Sequence, residues 1–232
     1  MLADADLSAV SELMSGHRAS LLLALIGGRP LTASELAVRA GISRSLASAH
    51  LSRLLDGGLI AVTQQGRQRH YRLAGAQVAE AIEGLLTLAP HRAAAGKSEA
   101  KRGQAIRQAR TCYDHLAGQL GVAVADALRN QQLIVPADNS YRLTAAGQTR
   151  LQSLGLDIAA LRKQRRAFAR PCLDWTERRP HLAGALGAGL ANQFFELDWI
   201  RRTTKDRAVQ ITRLGQRCLR DELAVNVAAA DA

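Results

Sequence analysis

The chain has 232 residues, enough for two domains with cores of their own, with 47% hydrophobic residues but only 3% aromatic ones. The core must therefore rest on Leu, Ala, Val and Ile, a composition that favours helices. The net charge of +11 points to an anionic partner, nucleic acid being the commonest. Three cysteines (Cys112, Cys172, Cys218) give no disulfide framework, and no long apolar run or leader-like segment occurs. Export and membrane insertion are not expected, and a cytoplasmic location is.

In chain order, Asp4–Ser15 reads as a short amphipathic helix and Arg18–Ile26 as a buried one, stopped by Gly27-Gly28 and Pro30. Thr32-Ala-Ser-Glu35 has the spacing of a capping box, opening a short helix to Gly41. Ser43 is a suitable N-cap for a second helix ending at Asp56-Gly57-Gly58. Its apolar face is expected to hold Ile42, Leu46, Ala49, Leu51, Leu54 and Leu55. Leu59–Thr63 and Arg69–Leu73 read as strands around a wing at Gln64–Gln68. Helix, turn, helix and ribbon is the order of a winged helix-turn-helix. Gln77–Leu88 adds a further helix, broken by Pro90.

The positive field is local as well as global. Between Arg39 and Arg72 six arginines face one acid, Asp56. Ser43, Arg44, Ser45, Ser48, His50 and Arg53 are expected to meet bases and phosphates from the second helix. Arg67, Arg69 and Arg72 are expected to track the backbone from the wing.

Residues 16–90 resemble the ArsR/SmtB family of bacterial repressors. The resemblance is carried by Thr32-Ala-Ser-Glu-Leu-Ala, Gly41-Ile-Ser, Ser48-Ala-His-Leu, Leu54-Leu-Asp-Gly-Gly-Leu-Ile and Gly66-Arg…Tyr71-Arg-Leu. It implies that Ser48, Ala49, His50 and Leu51 correspond to the family's Ser-x-His-Leu on the recognition helix. It further implies a homodimer built on the helices near 4–15 and 77–88, an inverted-repeat operator in double-stranded DNA, and release controlled by an effector. The family's metal-binding patterns are missing: Ala37-Val38 stands where Cys-x-Cys would, and the last helix offers only Glu80 and Glu83.

The remainder divides into a linker or solvated helix start, 91–103, and a second domain, 104–232, after an N-terminal domain of 1–90. The second domain contains an internal repeat. His115-Leu-Ala-Gly-Gln-Leu-Gly recurs as His181-Leu-Ala-Gly-Ala-Leu-Gly, with six of seven positions identical. Arg110-Thr-Cys112-Tyr-Asp114 recurs as Arg170-Pro-Cys172-Leu-Asp174, with six extra residues then preceding His181. The copies span about 110–157 and 170–222, each expected to be helix, helix, strand pair and Thr-capped helix. The fold class is thus mainly α with small β-wings, a winged helix-turn-helix followed by a duplicated, winged-helix-like domain. Arg162-Lys-Gln-Arg-Arg reads as a solvated helix face that could add a non-specific DNA contact.

The repeated Arg-x-Cys-x-Asp…His set supports several readings. Arg110 and Arg170 could hold an anionic effector, with Trp175 on the inserted loop as a lid. A histidine and an arginine could activate Cys112 or Cys172 for redox sensing. Cys112, His115, Cys172 and His181 could ligate a metal, an alternative the sequence does not favour because adjacent side chains diverge. No cofactor is required by the sequence. The structural reading has Asp114 and Asp174 capping helices and the cysteines filling core. No membrane partner and no enzyme activity are expected. The functional expectation is a sequence-specific transcriptional regulator, a repressor, with the second domain answering to a small-molecule, thiol-reactive or metal effector. The alternatives are an architectural DNA-binding protein and a thiol-dependent enzyme tethered to DNA.

Overall fold

The computed structural model describes residues 16–88, 96–203 and 206–227. The expected helix at 4–15 lies outside them. The chain divides into two compact units, Met1–Leu85 and Leu86–Ala232.

In the first unit α1 (Gly16–Leu25) buries Leu21, Leu22 and Leu25. β1 (Leu31–Thr32) leads into α2 (Ala33–Ala40), where Thr32 and Glu35 form the full capping box. Thr32 Oγ1 accepts from Glu35 N at 3.3 Å, and Thr32 N donates to Glu35 Oε2 at 2.8 Å. α3 (Arg44–Asp56) is capped by Ser43, whose Oγ accepts from Leu46 N at 3.2 Å. β2 (Ile60–Gln65) and β3 (Gln68–Leu73) form the ribbon, and β1 pairs with β3 to give a sheet of order β1-β3-β2. α4 (Ala76–Leu88) closes this region.

One expectation for α3 is corrected. Its buried face is Ala47, Leu51 and Leu54, whereas Leu46 is 37% exposed and Ala49 is exposed. Ile42 precedes the cap, so counting the helical period from it shifts the phase.

In the second unit α5 (Lys97–Gln108) occupies the end of the stretch expected as a linker. Each copy of the repeat then runs hairpin, helix, hairpin, helix. The first comprises β4 (Arg110–Cys112), β5 (His115–Ala117), α6 (Gly118–Asn130), β6 (Ile134–Ala137), β7 (Ser140–Leu143) and α7 (Ala145–Ser153). A short helix, α8 (Ile158–Arg162), separates it from the second copy. That copy comprises β8 (Arg170–Leu173), β9 (Pro180–Ala183), α9 (Gly184–Glu196), β10 (Ile200–Arg202), β11 (Val209–Ile211) and α10 (Arg213–Leu223). The expected opening helix of each copy is therefore a hairpin. Strands of three or four residues are too short to show alternation, and Cys-x-Asp leads into their turn. The final helices are Thr-capped as expected, with Gly147 N and Gly215 N donating to Thr144 and Thr212 at 3.0 and 2.9 Å.

The copies share one core. Leu120, Leu128, Ile134 and Leu151 from the first pack in the same cluster as Leu186, Phe194, Ile200 and Leu219 from the second. The basic run after α8 is not a continued helix: the helix ends at Arg162, and Arg166 turns inward onto Asp114.

Candidate functional sites: a DNA-reading helix and a buried Cys–His cluster

On α3 the sequence leaves a polar stripe opposite Ala47, Leu51 and Leu54. Arg44, Ser45, Ser48, Ser52 and Arg53 are all exposed. Small serines beside an arginine let a helix approach base edges, which the arginine can read bidentately at guanine. Ser43 is exposed but committed to the cap, with its Oγ 3.1 Å from Ser45 Oγ. His50 stands apart: it is half-buried, its ring tilted against His17 at 5.7 Å between centroids. The ribbon carries Arg67, Arg69 and Arg72, all exposed, with Arg69 lying over the Tyr71 ring at 5.6 Å. Gln65 pairs with Gln68, so Gly66-Arg67 is the tip.

In the second unit the two sets of repeat residues converge. Cys112 is paired with His115 across one hairpin, and Cys172 with His181 across the other. Directly opposed residues on a hairpin project to the same face, which removes the objection that neighbouring side chains diverge. The four residues are buried, and their ligand-capable atoms all lie within 4.8 Å of one another. Ala117 and Ala183 complete the packing around the two cysteines. The histidine Nε2 atoms face each other at 3.2 Å.

Each histidine turns its other nitrogen to an aspartate. His115 Nδ1 lies 3.2 Å from Asp114 Oδ1, and His181 Nδ1 lies 3.2 Å from Asp174 Oδ2. The second contact is a charge contact more than a well-directed hydrogen bond. Asp174 Oδ2 also accepts from Arg110 Nη2 at 2.9 Å and Gly118 N at 2.6 Å, while Oδ1 accepts from Thr176 Oγ1 at 2.7 Å. The expectation that the aspartates cap helices is thus half met, and across copies: Asp174 of the second caps α6 of the first. Asp114 is instead gripped by Arg166.

The electrostatics follow. Burial pushes the Asp174 carboxyl up, but His181, Arg110, Thr176 and Gly118 outweigh it and hold the group far below the usual carboxylate range. The Cys172 thiol is drawn strongly down, first by the Cys112 thiol, against burial, and then by the two imidazoles. Burial lowers His181, yet Asp174 and Cys172 outweigh that and raise it.

A helix-turn-helix domain family matches residues 13–63. The chain is 42% identical to YdfF of Bacillus subtilis (strain 168), an uncharacterized HTH-type transcriptional regulator, over 96% of this chain and 99% of that one. The chain belongs to the HTH-type transcriptional regulators. Two solved structures align with part of it. The transcriptional repressor BigR of Xylella fastidiosa is 25% identical, covering 37% of this chain and 86% of BigR at a TM-score of 0.34. A homodimeric winged helix-turn-helix domain from Mycobacterium bovis is likewise 25% identical, covering 37% of this chain and 85% of that one at a TM-score of 0.33.

For an HTH-type regulator the first unit carries what DNA binding needs, on an exposed helix and an arginine-bearing ribbon. Sequence reasoning passed over Ser52, one turn beyond Ser48 on the same stripe, although its spacing was visible. It also passed over Arg166, hidden in what looked like a solvated basic run. Arg170 takes no place like that of its counterpart Arg110: it is half-buried and donates to the Pro171 carbonyl at 3.3 Å. Trp175 folds inward, its ring 5.2 Å from the Arg110 guanidinium. Among the described residues no helix is long and apolar enough to cross a membrane.

Proposed function

We propose that this regulator is a homodimeric, cytoplasmic repressor of the ArsR/SmtB type. It occupies an inverted-repeat operator through α3 and its ribbon, and its duplicated second domain is the effector module. The observation that carries the reading is the exposed stripe of Arg44, Ser45, Ser48, Ser52 and Arg53 on a helix whose other face is core, beside exposed arginines on the ribbon. Leu85 and Leu88, 41% and 80% exposed on α4, are apolar surface of the kind a subunit interface covers. Two α3 helices related by a dyad would enter successive major grooves about one helical turn apart.

Operator binding by point variants tests the reading. Arg44→Ala is expected to cost about 1–3 kcal/mol and to relax base preference at one position of each half-site. Arg67→Ala is expected to weaken binding to all sequences alike and to lower the slope of log K against log salt by about one. Unchanged affinity and preference in Arg44→Ala and Ser48→Ala would remove α3 from the recognition role. Light scattering or equilibrium sedimentation of Leu88→Asp tests the dimer, which is expected to dissociate.

A further inference from the structure

The Cys–His cluster is the densest group of metal-ligating side chains among the described residues, and its geometry is that of a closed site. In a tetrahedral site with metal–nitrogen bonds of about 2.0–2.1 Å, two nitrogens sit about 3.3 Å apart. His115 Nε2 and His181 Nε2 are 3.2 Å apart. The 4.8 Å spread of the whole set needs only small side-chain rotations to close on one ion. The hairpin registers deliver one Cys–His pair from each copy, so the four donors arrive from two opposed pairs rather than from one stretch of chain.

The surroundings fix the donors. Asp114 and Asp174 lie against the Nδ1 atoms, the first in a hydrogen-bonding contact and the second in a charge contact, each at 3.2 Å, so both rings present Nε2 to the centre. The aspartates are themselves held, Asp174 by Arg110 and Asp114 by Arg166. A carboxylate behind each histidine is the arrangement that orients metal-bound imidazoles. It occurs here twice, once in each copy, although the two arginines come from different places in the sequence.

We propose that Cys112 Sγ, His115 Nε2, Cys172 Sγ and His181 Nε2 bind one divalent ion of the zinc class, Zn²⁺ or Cd²⁺, in a closed tetrahedron joining the two copies of the second domain. Two thiolates and two imidazoles suit a borderline-soft ion and not Mg²⁺ or Ca²⁺, which take oxygen ligands. On binding, both cysteines ligate as thiolates and both histidines as neutral imidazoles, the displaced thiol and imidazolium protons leave to solvent, and two metal–sulfur and two metal–nitrogen bonds form, so the loaded site is neutral. Neutrality suits a centre walled by Ala117 and Ala183. The site is independent of the operator-reading surface, and its test uses no DNA.

The full-length chain, purified under reducing conditions without chelator, is analysed for metal content and then stripped and titrated with Zn²⁺ and Co²⁺. One ion per chain is expected. The Co²⁺ adduct should show the intense d–d bands of a tetrahedral ion and thiolate-to-cobalt charge transfer from two sulfurs. Cys112→Ser and Cys172→Ser should each weaken binding by more than about a hundredfold and halve the charge-transfer intensity, whereas Cys218→Ser should change neither. Asp114→Asn, which keeps all four donors and alters the group behind His115 together with its pairing to Arg166, should weaken binding about 10–100-fold. The wild-type cobalt spectrum needs no variant to fold, so the proposal stands or falls on it. Only a weak, octahedral, aquo-like spectrum, or a Cys112–Cys172 disulfide forming in preference to metal uptake in reducing buffer, would overturn it.

Discussion

Asp114 and Asp174 occupy the same position in the two copies, yet they live in different dielectric surroundings. Asp174 and its partner Arg110 have no exposed side-chain surface, whereas Asp114 and Arg166 keep 30% and 28%. Removing one partner of a buried pair strands the other charge, at about 3–5 kcal/mol, while a partly solvated pair is worth about 0–1 kcal/mol. Asp174→Asn leaves the Arg110 guanidinium without its anion and weakens the charge at the start of α6. Urea unfolding of the full chain is therefore expected to show a loss of several kcal/mol for Asp174→Asn and under about 1 kcal/mol for Asp114→Asn. Equal losses would mean that the repeat treats its two halves alike, against the burial difference.

At the scale of elements, caps and close approaches decide where the chain turns. The Thr32–Glu35 box satisfies two backbone donors at the start of α2, so Thr32→Ala is expected to cost the first unit about 1 kcal/mol in thermal or urea unfolding. Glu35 is drawn below the ordinary glutamate range first by the Thr32 backbone N–H, with burial opposing. A lowered folded-state value means the contribution is complete above the unfolded value and is lost as the pH falls through the folded one. The gap between wild type and Glu35→Gln should therefore shrink in acid. Such caps were legible, because a hydroxyl and a carboxylate at a fixed interval leave a local signature, and so were the ribbon and the Thr144 and Thr212 caps. The phase of α3 and the opening hairpins of the repeat were not. The first depends on where the helix begins, and the second on pairing between strands of only three or four residues. The repeat motif itself becomes physical at its glycines. Gly118 and Gly184 take φ of 73° and 87° between strand and helix. Gly121 lets α6 fold back closely on its own hairpin, since a Cβ there would meet Leu116 O at 2.5 Å, while His181 Cβ of the opposite hairpin lies at an ordinary 3.5 Å. Gly187 stands in the same relation to His115 Cβ at 3.4 Å. Gly121→Ala is expected to destabilise the second unit by about 1–3 kcal/mol through overpacking.

For the second unit as a whole, the duplication explains why two weak sets of residues in the sequence become one site. Seen linearly, Cys112-x-Asp-His115 and Cys172-x-Asp174…His181 are separate and unremarkable, and each alone would hold an ion poorly. Folded, the helix of one copy packs on the hairpin of the other, so the pairs face each other across a local pseudo-twofold relation that no spacing in the chain reveals. The same exchange governs stability. Leu120 and Leu128 share their core with Leu182, Leu186 and Phe194, and the start of α6 is capped by Asp174 of the second copy. A fragment of residues 96–162 therefore lacks both the apolar surface that would cover its helix and the carboxylate that satisfies Gly118 N. At about seventy residues, and without that surface, it would also bury too little to offset the entropy of ordering the chain. It is expected to be largely unfolded by far-ultraviolet circular dichroism and proton chemical-shift dispersion, while residues 96–227 fold cooperatively. Adding Zn²⁺ to the short fragment should not rescue it, because it holds only Cys112 and His115 of the four donors. A well-folded fragment would mean that each copy is a domain in its own right, and that the shared core is contact between finished units rather than the condition of their folding.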